Sequence, residues 1–267
     1  MGNTFVLAQD KKQEEYIQRK SFSKISKSYQ GPNEAETKLK KAKKLFESKP
    51  EEALDLVHDA LLIAIRDNYL KQEADAYNLL GEFNYRLNEY NLSFKNYGKA
   101  IAIYNKQSFS NIFEIYYNIG KSAEMLNDFG NATSYFSRYL KLAKGKSDKD
   151  AQVKANIALG DVYLKEKELK GAKHHYTEAL NIEKKRNNKK GIVTANLKLG
   201  EVEKARNNTE QAIQYYRSSQ NTAIEIEDDK AVNEAFSNIS DIYQTQNQID
   251  EGIEINQEAL NYNQKRN

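Results

Sequence analysis

An aliphatic residue followed by a small one recurs along this chain at nearly constant distance. The pair stands at Leu80-Gly81, Ile119-Gly120, Leu159-Gly160, Leu199-Gly200 and Ile239-Ser240, with spacings of 39, 40, 40 and 40 residues. Twelve residues after each small residue comes another: Ser93, Ala132, Ala172, Ala212 and Gly252. Four further on stand Tyr97, Phe136, Tyr176, Tyr216 and Asn256, and three beyond those Ala100, Tyr139, Ala179, Ser219 and Ala259. A period of this length kept through five copies marks a stack of supersecondary units, each too small to bury its apolar face alone.

Composition says which unit repeats. Pro occurs only at Pro32 and Pro50, charged residues make up 30% of the chain, and helix formers dominate. Few breakers and a long period point to helical hairpins. Small residues at the anchor and twelve later are expected where two antiparallel helices cross. The aliphatic and aromatic positions are expected to fill the space between neighbouring hairpins.

A degenerate copy precedes the five. Ala53, Val57 and Ala60 lie 40 residues before Ser93, Tyr97 and Ala100, and Lys41 replaces the anchor Gly. Pro50 then falls in the first turn of a helix, where its missing N–H costs nothing. A polar, atypical end copy suits a cap. The expected organisation is a stub at 1–9, a helix over 10–30 and six repeats over 34–267, at 34–69, 73–108, 112–147, 151–188, 191–228 and 231–267. The apolar run Phe5-Val6-Leu7-Ala8-Gln9 reads as a signal-peptide remnant or a disordered terminus, which makes an extracytoplasmic location the expectation and a cytoplasmic one its alternative. No stretch approaches the ~20 apolar residues of a membrane span.

Charge and motifs exclude several function classes. Forty-one basic and 38 acidic residues leave +3, with twelve basic against six acidic residues in 1–49. That balance gives no reason to expect nucleic acid. The absence of Cys excludes disulfides and thiol chemistry. His174 and His175 are adjacent, so on a helix they diverge by about 100° and chelate poorly. Gly145-Lys146-Ser147 lacks the Gly of a phosphate loop five residues upstream, where Leu140 stands. No catalytic, cofactor-binding or metal-ligating set emerges, and the chain is expected to be no enzyme.

The Leu-Gly anchors, Tyr77 and Tyr116 four before the Gly, Tyr163 and Tyr243 three after the anchor, and the Ala…Tyr/Phe…Ala series together resemble the tetratricopeptide repeat family. The period of 40 resembles its long-period subclass, as in the repeat regions of bacterial sensor histidine kinases. The resemblance implies an all-α, right-handed superhelical solenoid of antiparallel helix pairs. It also implies a concave face lined by the first helix of each pair.

On that face fall Asp75, Asn78, Glu82 and Tyr85; Glu114, Tyr117, Lys121 and Glu124; Lys154, Ile157, Asp161 and Leu164; Thr194, Leu197, Glu201 and Lys204; Glu234, Ser237, Asp241 and Gln244. Eight acids against three bases make it acidic, with an apolar middle at Ile157, Leu164 and Leu197. The implied function is protein or peptide binding within a bacterial signal-transduction protein, as sensor or scaffold region, with basic or amphipathic partners. A free-standing cytosolic adaptor is the alternative. No cofactor, nucleic acid or membrane contact by this region is implied, and a homodimer through the repeat ends is a further expected contact.

Overall fold

Helix formers interrupted every twenty residues by a short polar turn give a chain of similar helices. The structure is a computed structural model that describes residues 32–107 and 112–266. It contains α1 (Pro32–Leu45), α2 (Pro50–Arg66), α3 (Leu70–Arg86), α4 (Tyr90–Gln107), α5 (Phe113–Met125), α6 (Phe129–Gly145), α7 (Lys149–Lys165), α8 (Leu169–Arg186), α9 (Lys189–Ala205), α10 (Thr209–Glu225), α11 (Asp229–Thr245) and α12 (Ile249–Arg266). Among the described residues there is no strand, and no helix is long and apolar enough to cross a membrane. The expected segments at 1–9 and 10–30 lie outside the described residues. The chain forms two compact units, one up to Tyr139 and one from Leu140, with the division inside α6.

The turns are built alike. Asn68, Asn88, Asn127, Ser147, Lys167, Asn187, Asn207, Glu227 and Asn247 all have positive φ, between 54° and 62°. The residue after each closes the helix end by reaching a carbonyl five residues back, as in Asp148 N to Ala143 O at 2.9 Å and Asp228 N to Ala223 O at 2.9 Å. This is the Schellman arrangement, which satisfies carbonyls that a helix end leaves free. The next helix is capped at once. Asp148 accepts from Ala151 N at 3.0 Å and Asp228 from Ala231 N at 3.1 Å.

In the first unit, α3 packs against α2 and α4 and also touches α1 and α5. Its core gathers Ala35, Leu39, Ala42, Phe46, Ala53, Val57, Leu79, Leu80 and Phe83. Phe46 stacks on Phe83 with ring centroids 3.9 Å apart. Pro50 sits in the first turn of α2. In the second unit α9 packs against α8 and α10 and touches α11. Ala172, Tyr176, Leu199 and Val202 form one cluster there, and Leu197, Ala212, Tyr216, Val232 and Ile239 another. The last helix buries only Ile255 and leaves Ile249, Ile253 and Leu260 exposed.

The anchor positions work differently from the expected filling between hairpins. A Cβ on Gly81 would meet the Tyr97 ring at 2.6 Å, on Gly120 the Phe136 ring at 2.7 Å, on Gly160 the Tyr176 ring at 2.4 Å and on Gly200 the Tyr216 ring at 2.4 Å. Each ring therefore lies inside its own hairpin, against the first helix of the pair. The small residue twelve after the anchor brings the helices close enough for backbone contact: Ser93 Oγ donates to the Gly81 carbonyl at 2.8 Å.

Candidate functional site

Within each unit first helices of neighbouring pairs touch, α1 with α3 and α3 with α5 in the first and α9 with α11 in the second, so residues on their shared side come together. In the first unit several of the sequence-expected positions are engaged with neighbouring side chains. Asp75 accepts from the Tyr104 hydroxyl and from Lys71 Nζ, the latter at 3.2 Å. Glu114 accepts from the Tyr139 hydroxyl at 3.1 Å. Tyr117 packs on Phe136 and Tyr139, with centroids 5.4 and 5.3 Å away. Glu124 is buried and receives Lys121 Nζ at 2.6 Å, so it is no open groove residue. Burial opposes the Lys121 charge, yet Glu124 outweighs it and raises the ammonium's pKa. Asn78, Glu82 and Tyr85 are half-buried.

In the second unit α7, α9 and α11 supply the face. Lys154, Thr194, Glu234, Ser237, Asp241 and Gln244 are exposed, while Ile157, Asp161, Leu164, Glu201 and Lys204 are half-buried. Leu197 is buried. Two clefts open among them. The first, of about 450 Å³, brings Ile157, Thr194, Leu197 and Glu234 together, with Val153, Val193 and Ala231. The second, of about 520 Å³, joins Leu164, Glu201 and Lys204 to Ala205, Tyr216, Asn238 and Ile242. Lys154 lies outside both.

Charges on this face are tied in pairs. Lys198 Nζ lies 3.3 Å from Asp161 and 3.2 Å from Glu201. Burial opposes its charge, but these two carboxylates outweigh the cost and raise its pKa. Lys204 bridges α9 to Asp241 on α11. Tyr176 donates its hydroxyl to Asp161 at 2.7 Å.

Sequence reasoning missed several of these residues. Lys198 and Asn238 both stand two before an anchor, so the forty-residue register points to them once the face is extended by one position. Glu203 gave no such signal. It is fully buried, and Lys173 at 2.7 Å, Asn208 at 2.7 Å and Arg206 at 3.1 Å surround its carboxylate. Burial works to raise its pKa, but the hydrogen bonds and positive charges of these neighbours hold it below the usual carboxylate range. That network ties helix ends together. His175 is likewise structural: its Nδ1 lies 2.9 Å from Asn156 Oδ1, and its ring stacks on Tyr163 at 5.4 Å. Among the described residues no three His, Cys, Asp or Glu side chains are grouped to hold a metal ion.

Both clefts set aliphatic walls beside carboxylates. Comparison with known proteins agrees in fold. A tetratricopeptide repeat model matches residues 113–146 and 153–186. No curated protein matches the sequence. The chain is similar to the apo form of RapI, at 15% identity and a TM-score of 0.65, over 87% of this chain and 98% of that one. It is also similar to a signal transduction ATPase with numerous domains and a tetratricopeptide repeat sensor, from Pyrococcus horikoshii. Identity there is 17% and the TM-score 0.71, over 88% of this chain and 36% of that one. A Rap protein complexed with Competence and Sporulation Factor matches at 13% identity and a TM-score of 0.55, over 86% and 76% of the two chains. Residues 113–146 and 153–186 thus match the tetratricopeptide repeat within an all-helical fold of the tetratricopeptide-repeat type.

Proposed function

We propose that this chain is a non-enzymatic module that binds protein or peptide segments, basic or amphipathic in character. In this reading it is the sensor or scaffold region of a bacterial signal-transduction protein, built from six repeats of the long-period subclass. The observation that carries the reading is the α7–α9–α11 face of the second unit. Its two clefts pair aliphatic walls with Glu234 in one and Glu201 in the other, so an extended segment with alternating apolar and basic residues finds both surfaces it needs. The fold of a Rap protein complexed with Competence and Sporulation Factor and of an ATPase's tetratricopeptide repeat sensor supports the same use.

Titration of the protein with a fluorescent Lys/Leu peptide, an Asp/Leu peptide serving as control, tests it. The Lys/Leu peptide is expected to bind and to weaken by about tenfold between about 0.05 M and about 0.5 M salt, because exposed charges are screened. Equal binding of both peptides, or none, refutes the reading. Thr194→Trp, which fills the mouth of the first cleft, should reduce affinity without loss of helical circular dichroism.

A further inference from the structure

Tyr216 is fully buried, yet its hydroxyl has no hydrogen-bond partner. A buried phenol left unpaired forfeits what water gave it, so native structures rarely keep one without a reason. Its ring cannot turn away, because it is held against Gly200. Tyr216 lines the second cleft, whose apolar walls are Leu164, Ala205 and Ile242 and whose polar groups include Glu201 and Asn238.

One repeat earlier the same position is complete. Tyr176 donates to Asp161 Oδ1 at 2.7 Å, and Lys198 Nζ lies 3.3 Å from that same oxygen. A shift of forty residues carries Tyr176 to Tyr216, Asp161 to Glu201 and Lys198 to Asn238. Phenol and carboxylate recur, and the cation does not. Glu201 instead reaches back to Lys198 at 3.2 Å, and the cation nearest the cleft, Lys204, is paired with Asp241. Two lysines are thus shared among three carboxylates here: Asp161, Glu201 and Asp241. Burial first, then the charges of Glu201, Asp241 and Glu234, push the Tyr216 phenol's pKa above the ordinary range.

We infer that the cleft beside Tyr216 is a specificity subsite for one lysine or arginine side chain of a bound peptide, whose cation takes the place that Lys198 fills one repeat earlier. This rests on the peptide-binding reading. The aliphatic stem lies along Leu164 and Ile242, and the cation donates to Glu201 and to the Tyr216 oxygen.

The test uses the whole chain and four probes: Nα-acetyl-arginine amide, its uncharged isostere Nα-acetyl-citrulline amide, the Lys/Leu peptide, and that peptide with citrulline replacing Lys. Ligand-detected NMR gives the affinities. Arginine amide should bind at least about tenfold tighter than citrulline amide, a difference of one charge-assisted contact. Asn238→Lys restores the internal cation, so it should keep or raise the melting temperature while losing arginine-amide binding by about tenfold. Glu201→Gln keeps the shape and should lose binding too, which guards against a poorly folded Asn238→Lys. Equal binding of the two amides, no binding of arginine amide, or wild-type binding by both variants overturns the subsite. If the Lys/Leu peptide binds wild type and Asn238→Lys alike, the subsite falls and the peptide reading stands. If arginine amide binds but no peptide does, the peptide reading falls and the cleft remains.

Discussion

A single hydrogen at Gly160 leaves room for the Tyr176 ring, since a Cβ there would stand 2.4 Å from it. The rule extends along the chain as a coupling. Gly81, Gly120, Gly160 and Gly200 each face an aromatic sixteen residues on. Where that residue is Val57 or Asn256, Lys41 and Ser240 occupy the anchor instead. Gly160→Ala should therefore cost about 1–3 kcal/mol in urea unfolding, because a fixed ring and a crossing helix must both give way. Ser240→Ala, with no ring opposite, should stay within about 0.5 kcal/mol. His175 supplies a pH signature. Burial first, then the charges of His174 and Lys144, pull its pKa from 6.5 down to about 4. Between those values the unfolded chain binds the proton and the folded one does not, so the folded state gains stability with rising pH and loses it on acidification from 6.5 towards 4. His175→Gln should flatten that window relative to wild type, as measured by urea midpoints at pH 7, 6 and 5.

At the scale of the element, the turns decide where helices stop. Their αL residue is Asn at Asn68, Asn88, Asn127, Asn187, Asn207 and Asn247, whose short polar side chain tolerates the conformation. Lys167 and Glu227 hold the same conformation without that tolerance, at φ 62° and 57°. Lys167→Gly should raise stability by up to about 1 kcal/mol, the relief of strain less the greater chain entropy of Gly. Asn187→Ala should lower it by a similar amount. Thermal melts followed at 222 nm compare the three proteins. The sequence does show Asn at these places, but Asn is common throughout the chain. Only the twenty-residue spacing with the cap that follows, as in Asn187-Asn188, separates turn Asn from helix Asn.

At the scale of the whole molecule, contacts within each unit run between sequence neighbours and between first helices such as α1 and α3 or α9 and α11. Arrays built this way share stability locally rather than through one core. Gly200→Ala should then lower amide hydrogen-exchange protection most in α9 to α12 and leave α1 to α3 near their wild-type values. A uniform loss across all helices would contradict local coupling.

What the sequence determined by itself is the periodic part of this protein. Helix pairing and the burial of Tyr97, Tyr176 and Tyr216 follow from spacing, because packing repeats whenever the residues do, while the seating of each ring on its own hairpin's anchor glycine came from the structure. Tertiary structure decided what is not periodic. Glu124 leaves the face for the interior, Leu197 becomes a cleft wall, Glu203 gathers three donors, and Tyr216 keeps an unpaired hydroxyl beside Glu201 and Asn238. Each depends on which side chain a neighbouring helix presents at that height. A residue's position in its repeat gives the face it occupies, while its partner comes from another repeat that has drifted from the common pattern.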